Sequence, residues 1–202
     1  MRVVLATRNA HKVDELRRIL SACDVELVSL SEYPDVPDVP ETGATFADNA
    51  LLKAHAVAVA TGLVAIADDS GLSVDALNGM PGVLSARWAG RHGDDVANLQ
   101  LVLGQIADVA QERRGAAFVC AAAAAAPDGR EVVVEGRVEG RLTHAPRGHN
   151  GFGYDPIFTP IGETRTTAEM SAEEKDAISH RGIAFRALAP RLLELAADDL
   201  SS

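Results

Sequence analysis

The sequence predicts an α/β protein built on a mixed β-sheet. Short apolar runs typical of buried strands alternate with segments of helical periodicity in the first part of the chain. Farther along, the apolar segments 116–126 and 131–134 flank the turn sequence Pro127-Asp128-Gly129 and predict a hairpin. The 202 residues contain no internal repeat and no low-complexity linker. We therefore interpret the chain as one domain, 1–202, with a single core or two closely joined lobes.

The first predicted elements are a strand, a loop, a helix and a second strand. The apolar run Val3–Ala6 predicts the strand, and the helical spacing of apolar residues over 11–20 predicts the helix. A second strand is expected over 25–30. Three closely spaced prolines then exclude a helix from Tyr33–Pro40, so this segment is predicted to be an extended loop.

The next predicted elements are a helix and a buried strand. Thr45 and Asp48 are typical of a helix N-terminus, and Gly62 is suited to end that helix. The apolar run 63–67 predicts the strand. We expect this strand to end abruptly where the sequence Asp68-Asp69-Ser70-Gly71 begins.

The later part of the chain predicts three more helices. Apolar residues recur at helical spacing over 94–106 and over 183–197. Between these segments, Ser171 and Glu174 have the spacing of a capping box and predict a further helix start. Pro190 is expected to kink the last helix.

Composition and charge exclude several classes of protein. With 47% hydrophobic and 24% charged residues, the chain is not intrinsically disordered. Asp and Glu total 29 against 19 Lys and Arg, a net charge of −10 that argues against binding to a nucleic-acid polymer. We recognise neither a membrane-spanning segment nor a signal peptide, and we expect a cytoplasmic protein. Cys23 and Cys120 are too few for a disulfide framework and are expected to be reduced.

The loop Thr7–Lys12 is the first candidate site. It joins the first predicted strand to the first helix, where the backbone N–H groups of a helix N-terminus can bind an anion. Arg8 and Lys12 lie at the positive end of the helix dipole, where cations are destabilising unless an anion offsets them. The glycines of a P-loop are missing. The charges favour a phosphate-binding loop over the alternative that Thr7 or Asn9 is only a helix cap.

The sequence Asp68-Asp69-Ser70-Gly71 is the second candidate site. The carboxyl end of a strand in an open sheet is where ligands usually bind, so these carboxylates are expected at a ligand crevice. Neighbouring side chains on an extended chain point to opposite sides, and at most one of the two carboxylates need face the ligand. In isolation, a turn with local hydrogen bonds is the commoner explanation of such a tetrapeptide. Beside a phosphate loop, the carboxylates instead suggest Mg²⁺, with Glu41 as a second ligand.

Three further segments carry weaker signals. Asn49 and Lys53 stand four residues apart and share a helix face, which by itself is more often a solvated face. Gly151–Pro156 contains two aromatic rings and a carboxylate among glycines, which allow a flat ligand to approach the backbone; the alternative is a turn whose rings anchor it to the core. Ser179–Gly182 offers several hydrogen-bond donors to a base carbonyl or a phosphate.

These segments, taken in order, resemble the inosine triphosphatase-like family of non-canonical purine NTP pyrophosphatases. The motifs that carry the resemblance, spread over almost the whole sequence, are Thr7-x-Asn9-x-x-Lys12, Glu41-Thr42-Gly43, Ala67–Leu72, Gly151–Pro156 and Ile178–Gly182. Each motif is weak alone, but five in the correct order are highly specific. One departure is Asn150, which stands where many members of the family have Gly.

The resemblance implies a fold, an activity and a partner. The fold is an elongated mixed α/β sheet flanked by helices, with two lobes around a central cleft, and the subunits form a homodimer. The activity is that of an XTP/dITP diphosphatase, which uses Mg²⁺ to hydrolyse ITP, dITP and XTP to the monophosphate and pyrophosphate. Such enzymes remove deaminated purines from nucleotide pools. Neither nucleic acid nor a membrane is expected as a partner.

The resemblance also implies roles for individual residues. Asp69 matches the proton acceptor and a metal ligand, Glu41 matches a second metal-site carboxylate, and Asp68 is a supporting neighbour. Lys53 is expected, from its charge, to join Lys12 in offsetting the phosphates. The positions that match phosphate-binding residues or a substrate contact are Thr7, Asn9, Lys12 and Ser70. The positions that match nucleoside-binding residues are Phe152, Gly153, Tyr154, Asp155, Lys175, His180 and Arg181.

Two of these positions suggest how the base is chosen. His180 and Arg181 are expected to donate to the 6-keto group of inosine or xanthine, because a 6-amino group would leave such donors unpaired. Phe152 or Tyr154 is expected to present a ring face to the purine.

Two other functions remain open from the sequence. A non-catalytic nucleotide-binding module would use similar residues, although pure binding does not require metal-site carboxylates with a candidate base. A Maf-like pyrophosphatase, which prefers modified or pyrimidine nucleotides, is the other alternative. The segments Phe152–Asp155 and Ser179–Arg181 favour the purine enzyme.

Overall fold

The computed structural model describes residues 1–21, 23 and 25–197. The strands are β1 (Arg2–Leu5), β2 (Glu26–Ser29), β3 (Ala65–Val74), β4 (Gly115–Ala125), β5 (Glu131–Leu142) and β6 (Phe158–Pro160). The α-helices are α1 (Ala10–Ile19), α2 (Phe46–Thr61), α3 (Asp95–Gln105), α4 (Ala172–Ile178) and α5 (His180–Ala197). Within these described residues, no helix is long and apolar enough to cross a membrane.

The six strands form a mixed sheet in the order β2-β1-β3-β4-β5-β6. β1 pairs in parallel with β2, where Val4 lies opposite Val28, and with β3, where Leu5 lies opposite Ile66. β5 and β6 pair in the antiparallel sense. The predicted α/β class with a mixed sheet is therefore confirmed. The two strands of the predicted hairpin, β4 and β5, are neighbours in this sheet.

The chain divides into two compact units. Unit 1 comprises 1–69, 120–136 and the described residues from Arg181 onward. Unit 2 comprises Ser70–Val119 and Arg137–His180. The strands β3, β4 and β5 and the helix α5 each contribute residues to both units.

The core of unit 1 is organised by the small side chains of β4. The even-numbered residues over 120–126 pack in an apolar cluster with residues of α1 and α5. The odd-numbered residues over 121–125 pack in a second cluster with residues of α2. Because successive side chains of a strand point to opposite faces, helices cover both faces of this segment. Small alanine side chains therefore fit this strand, which is covered on both faces, despite the preference of alanine for helices.

The core of unit 2 includes a buried arginine. Arg114 is only 1% exposed and donates to the carbonyl oxygens of Ile106 at 2.7 Å, Thr143 at 2.9 Å and Leu142 at 3.1 Å. Ile106 directly follows α3, and Leu142 is the last residue of β5. The guanidinium thus satisfies carbonyl groups at the ends of two elements, groups that burial would otherwise leave unpaired.

Several helix termini confirm the predicted caps. Thr45 and Asp48 form a reciprocal capping box at the start of α2, and Gly62 follows its last residue in the left-handed conformation, with φ of +69°. Ser171 and Glu174 form the same arrangement at the start of α4. Pro190 lies inside α5, and the predicted kink there stays a prediction.

The prediction that the third strand ends at Asp68 is wrong. β3 continues through Asp68-Asp69-Ser70-Gly71 as far as Val74. Asp68 and Asp69 remain in the strand because α1, α2 and α5 supply them with charged and polar partners that the local pattern does not reveal. β1 ends at Leu5, opposite Ile66, so both carboxylates lie beyond the carboxyl end of β1.

Candidate active site

The side chains of the loop before α1 determine its shape. Asn9 is the N-cap of α1, and its side-chain oxygen accepts a hydrogen bond from the backbone N–H of Lys12 at 3.3 Å. The hydroxyl of Thr7 accepts a hydrogen bond from the backbone N–H of Asn9 at 3.2 Å. Asn9 is therefore a helix cap, and phosphate binding by this loop stays a prediction.

Arg8 connects the same loop to the proline-rich segment that precedes Glu41. Its guanidinium donates to the carbonyl oxygen of Val36 at 2.6 Å and forms an ion pair with Asp38. These contacts give Arg8 a structural role in holding the two loops of unit 1 together.

Asp68 belongs to a buried charge network. Its Oδ2 lies 3.1 Å from Nζ of Lys12 and accepts two hydrogen bonds from Arg181 at 3.1 and 3.2 Å. Arg181 also donates to Glu15 of α1 at 2.5 Å. The side chains of Glu15, Asp68 and Arg181 are at most 3% exposed. Burial alone would lower the pKa of Arg181, but Asp68 and Glu15 outweigh it and raise that pKa.

Asp69 faces α2 instead. Its Oδ2 accepts a hydrogen bond from Nδ2 of Asn49 at 2.9 Å, and its Oδ1 lies 3.9 Å from Nζ of Lys53. The same ammonium donates to Oε1 of Glu41 at 2.7 Å. The face of α2 that carries Asn49 and Lys53 is therefore directed at these carboxylates, and the solvated-face interpretation is wrong. We call Glu41, Lys53 and Asp69 the carboxylate–lysine cluster.

Burial has the largest effect on the ionisation of this cluster. It raises the pKa of Asp69, an effect opposed by Lys53 and Asn49 and reinforced by Glu41. Burial would lower the pKa of Lys53, but the carboxylates of Asp68, Asp69 and Glu41 outweigh it and raise that pKa. The cluster therefore holds a firmly protonated ammonium beside a carboxylate that is more basic than an exposed one.

The donor set of Glu41 and Asp69 fits a small divalent cation. Both carboxylates converge on one positive charge, the ammonium of Lys53, and Mg²⁺ binds proteins through one or two carboxylates together with substrate oxygens. Among the residues that the structure describes, no group of three or more His, Cys, Asp and Glu side chains could hold a metal by itself.

In unit 2, Asp155 organises the glycine-rich segment. Its buried carboxylate accepts hydrogen bonds from Nζ of Lys175 at 2.7 Å, the backbone N–H of Phe152 at 2.8 Å and the hydroxyl of Thr167 at 2.8 Å. Gly151 has a φ of +73°, and a Cβ at this position would collide with the carboxylate of Asp155. Only glycine meets both requirements, so Asp155 and Gly151 together define the turn.

The two aromatic rings of this segment have different environments. Tyr154 is buried in the core of unit 2, where its hydroxyl donates to the carbonyl oxygen of Ser85 at 2.8 Å and burial raises its pKa. Phe152 is half-buried, and Nζ of Lys175 lies 5.1 Å from its ring centroid. Tyr154 therefore anchors the turn to the core, whereas Phe152 is only half-buried.

A pocket in unit 2 has His180 in its lining. The pocket is small, with room for about one water molecule, and its polar lining consists of Asp155, Thr167, Lys175, Ser179 and His180. The imidazole of His180 stacks on the ring of Phe118, with the centroids 4.8 Å apart and the planes at 13°. All lining residues belong to unit 2, whereas the guanidinium of Arg181 is held by the carboxylates of unit 1. The two neighbouring residues thus have different surroundings.

Ser70, Gly153 and Glu15 complete the set of candidate residues. Ser70 is half-buried in β3, and the backbone N–H of Gly153 donates to Asp95 at 2.9 Å. Glu15 was not among the residues predicted from the sequence; it is a charged residue on the otherwise apolar, buried face of α1. The sequence feature that could have identified Glu15 is its position three residues after Lys12, since residues with this spacing are neighbours on a helix.

The chain matches known proteins over nearly its full length. The model of the Ham1 family matches residues 3–191. A dITP/XTP pyrophosphatase from Streptomyces coelicolor is 67% identical over 196 residues, which cover 96% of this chain and 98% of that protein. The crystal structure of a nucleoside-triphosphatase, dITP/XTP pyrophosphatase, from Mycobacterium abscessus is 60% identical with a TM-score of 0.77, covering 94% of this chain and 100% of that one. The structure of a HAM1 protein from Coxiella burnetii is 41% identical with a TM-score of 0.87, and the match covers 96% of this chain and 99% of that one.

Fold and site together define an α/β enzyme with buried carboxylates and lysines, and the similarity above identifies its family. The chain belongs to the Ham1 family. The resemblance inferred from five sequence motifs and the prediction of an enzyme are both confirmed. The homodimer stays a prediction.

Proposed function

We propose that this protein hydrolyses the non-canonical purine nucleotides dITP, XTP and ITP to the monophosphate and pyrophosphate. The carboxylate–lysine cluster carries the proposal, because it combines a candidate proton acceptor with charges suited to phosphate groups. The relative from Streptomyces coelicolor, 67% identical to this chain, supports the choice of substrate. A module that only binds nucleotides needs no base of this kind.

Glu41 and Asp69 would hold Mg²⁺ in this enzyme, with Asp68 as a neighbour. When bound, the ion neutralises the triphosphate and orients it. Asp69 accepts the proton of the attacking water, a role suited to a carboxylate that burial makes more basic. Lys53 offsets negative charge that develops on the phosphates.

The start of α1 would bind the triphosphate. The ammonium of Lys12 lies at the positive end of the α1 dipole, which favours an anion. Thr7 supports the shape of this loop through its bond to Asn9. Lys12 remains close to Asp68, so its charge serves both the buried network and the phosphates.

Unit 2 would supply the contacts to the purine base. Phe152 offers a half-buried ring for stacking, and Ser179 and His180 supply hydrogen-bond donors in the pocket lining. A donor directed at a 6-keto group would be left unpaired by a 6-amino group, at a cost of about 1–3 kcal/mol. This difference favours ITP, dITP and XTP over ATP.

A product assay tests the proposed function. Pyrophosphate and phosphate release are measured from dITP, XTP, ITP, GTP, ATP and dUTP, with and without Mg²⁺. We expect pyrophosphate from the first three nucleotides, much less from ATP and dUTP, and none without the metal. GTP shares the 6-keto group, so its rate measures whether the 2-amino group of the base is also discriminated against. Phosphate as the product would contradict the proposed cleavage, and a preference for dUTP would favour a Maf-like enzyme.

Phe152→Ala should weaken the use of all purine substrates together, since stacking does not depend on the 6-substituent. The loss of such a contact is expected to reduce kcat/KM roughly 2- to 10-fold for dITP, XTP and ATP alike. Tyr154→Phe is the matched control, because it removes only the hydroxyl that binds Ser85 and should leave these values nearly unchanged. An altered dITP/ATP ratio in Phe152→Ala would argue against stacking.

A further inference from the structure

Asn49 joins the two carboxylate-bearing segments of the cluster. Its side chain is completely buried on α2. The Oδ1 atom accepts a hydrogen bond from the backbone N–H of Gly43 at 2.7 Å, and Nδ2 donates to Oδ2 of Asp69 at 2.9 Å. One amide therefore connects the segment that carries Glu41 to the strand that carries Asp69.

The orientation of this amide follows from the chemistry of its partners. The backbone N–H of Gly43 can only donate, so it requires the oxygen of Asn49. The NH₂ group is then directed at Asp69, whose ionised carboxylate can only accept. This bond engages Oδ2 of Asp69 and leaves Oδ1 as the oxygen that faces Lys53.

The close approach of the Glu41 segment to α2 depends on Gly43. A Cβ at this position would lie 2.5 Å from Cβ of Asp48 and 2.8 Å from Oδ1 of Asn49, both too short for non-bonded atoms. The absence of a side chain thus allows the backbone N–H to reach the buried amide. Glu41 lies two residues earlier, so the bond between Gly43 and Asn49 also restricts where Glu41 can lie.

We infer that Asn49 is a positioning residue for the hydrolysis, which fixes the carboxylate of Asp69 in the orientation needed for turnover. The inference rests on the proposed function. Hydrogen bonds that orient a reacting or metal-binding carboxylate are commonly worth 10- to 100-fold in activity, although the donor itself does not touch the substrate. Asn49 acts in this way through its NH₂ group, and its oxygen anchors the neighbouring loop.

Two substitutions separate these two actions of the amide. Asn49→Ala removes both hydrogen bonds. Asn49→Asp has almost the same shape and still accepts from Gly43, but once ionised its carboxylate has no hydrogen to donate and opposes the charge of Asp69. Because two neighbouring buried carboxyl groups can share a proton, kcat is compared over a pH series, and the values at high pH, where both groups are ionised, decide the question. We expect both variants to lose about 10- to 100-fold in kcat for dITP, with little change in KM. A non-hydrolysable dITP analogue with an α,β-methylene bridge should still raise the unfolding temperature of both variants.

Asn98 is the matched control for a buried amide. It is 1% exposed on α3 of unit 2, accepts from the backbone N–H of Ala89 at 2.7 Å and donates to the carbonyl oxygen of Ala86 at 3.2 Å. Asn98→Asp should lower the unfolding temperature, because it also removes a buried donor, but it should leave kcat close to that of the wild type.

The outcomes distinguish the inference from the proposed function. If the wild type releases no pyrophosphate from any purine triphosphate, the proposed function fails. If the wild type is active and folded Asn49→Asp retains its kcat, loop anchoring is sufficient and the inference fails alone. A raised KM and a lost response to the analogue would likewise contradict the inference, because they would make Asn49 a substrate-binding residue. Should Asn49→Ala not fold, the nearly isosteric Asn49→Asp decides the question.

Discussion

Asp69→Asn is expected to reduce kcat for dITP on the order of 10²- to 10⁴-fold, the range that a positioned general base contributes. The substitution keeps the shape of the side chain but replaces the proton acceptor with a weakly basic amide. Since burial raises the pKa of Asp69, the folded protein disfavours its charge at neutral pH relative to the unfolded chain. We therefore expect the variant to unfold at the same temperature as the wild type or at a higher one.

Two measurements on the same preparation test these expectations. Pyrophosphate release gives the change in kcat, and thermal unfolding followed by circular dichroism gives the change in unfolding temperature. Glu131→Gln is a matched control, because it neutralises an exposed carboxylate of β5 that pairs with His55. This control should keep full activity. If Asp69→Asn turns over dITP normally, Asp69 is not the base. If it loses activity only together with its fold, the carboxylate has a structural role.

Local features of the fold could be predicted because their signals lie within a few residues. The capping boxes of α2 and α4 each join residues three positions apart, Thr45 with Asp48 and Ser171 with Glu174. The end of β3 could not be predicted in this way. Asp68 is tolerated inside the strand because Arg181, 113 residues later in the chain, neutralises it. A local pattern of apolar and polar residues carries no information about such a distant partner.

The candidate site shows the same limit. The chemical type of the residues and the order of the motifs were sufficient to select Asp69 and Lys53 as candidate site residues. The burial of Asn49, in contrast, follows from tertiary contacts with β3. No sequence pattern distinguishes the rings of Phe152 and Tyr154, which lie two positions apart among glycines. The difference between them arises from packing, since only Tyr154 enters the core of unit 2.

Arg181→Met is expected to destabilise the protein by about 3–5 kcal/mol, the cost of removing one partner from a buried ion pair. The substitution leaves Glu15 and Asp68 buried without the guanidinium that binds both of them. Urea unfolding at neutral pH, without nucleotide, measures the loss. Arg191→Met is the control on the same helix. Arg191 is exposed and pairs with Glu194, so its loss should change the free energy of unfolding by no more than about 0.5 kcal/mol.

A second substitution tests whether the loss arises from unpaired charge. Glu15→Gln in the Arg181→Met background neutralises one of the two carboxylates that lose the guanidinium, while Asp68 keeps its ion pair with Lys12, and should recover part of the stability. The ratio of kcat/KM for dITP and ATP, measured below the unfolding transition, tests the sequence-based hypothesis that Arg181 donates to the 6-keto group. A stable Arg181→Met protein with a reduced ratio would assign Arg181 to base selection. The result we expect, an unstable protein with an unchanged ratio, assigns its guanidinium to the network that holds Asp68.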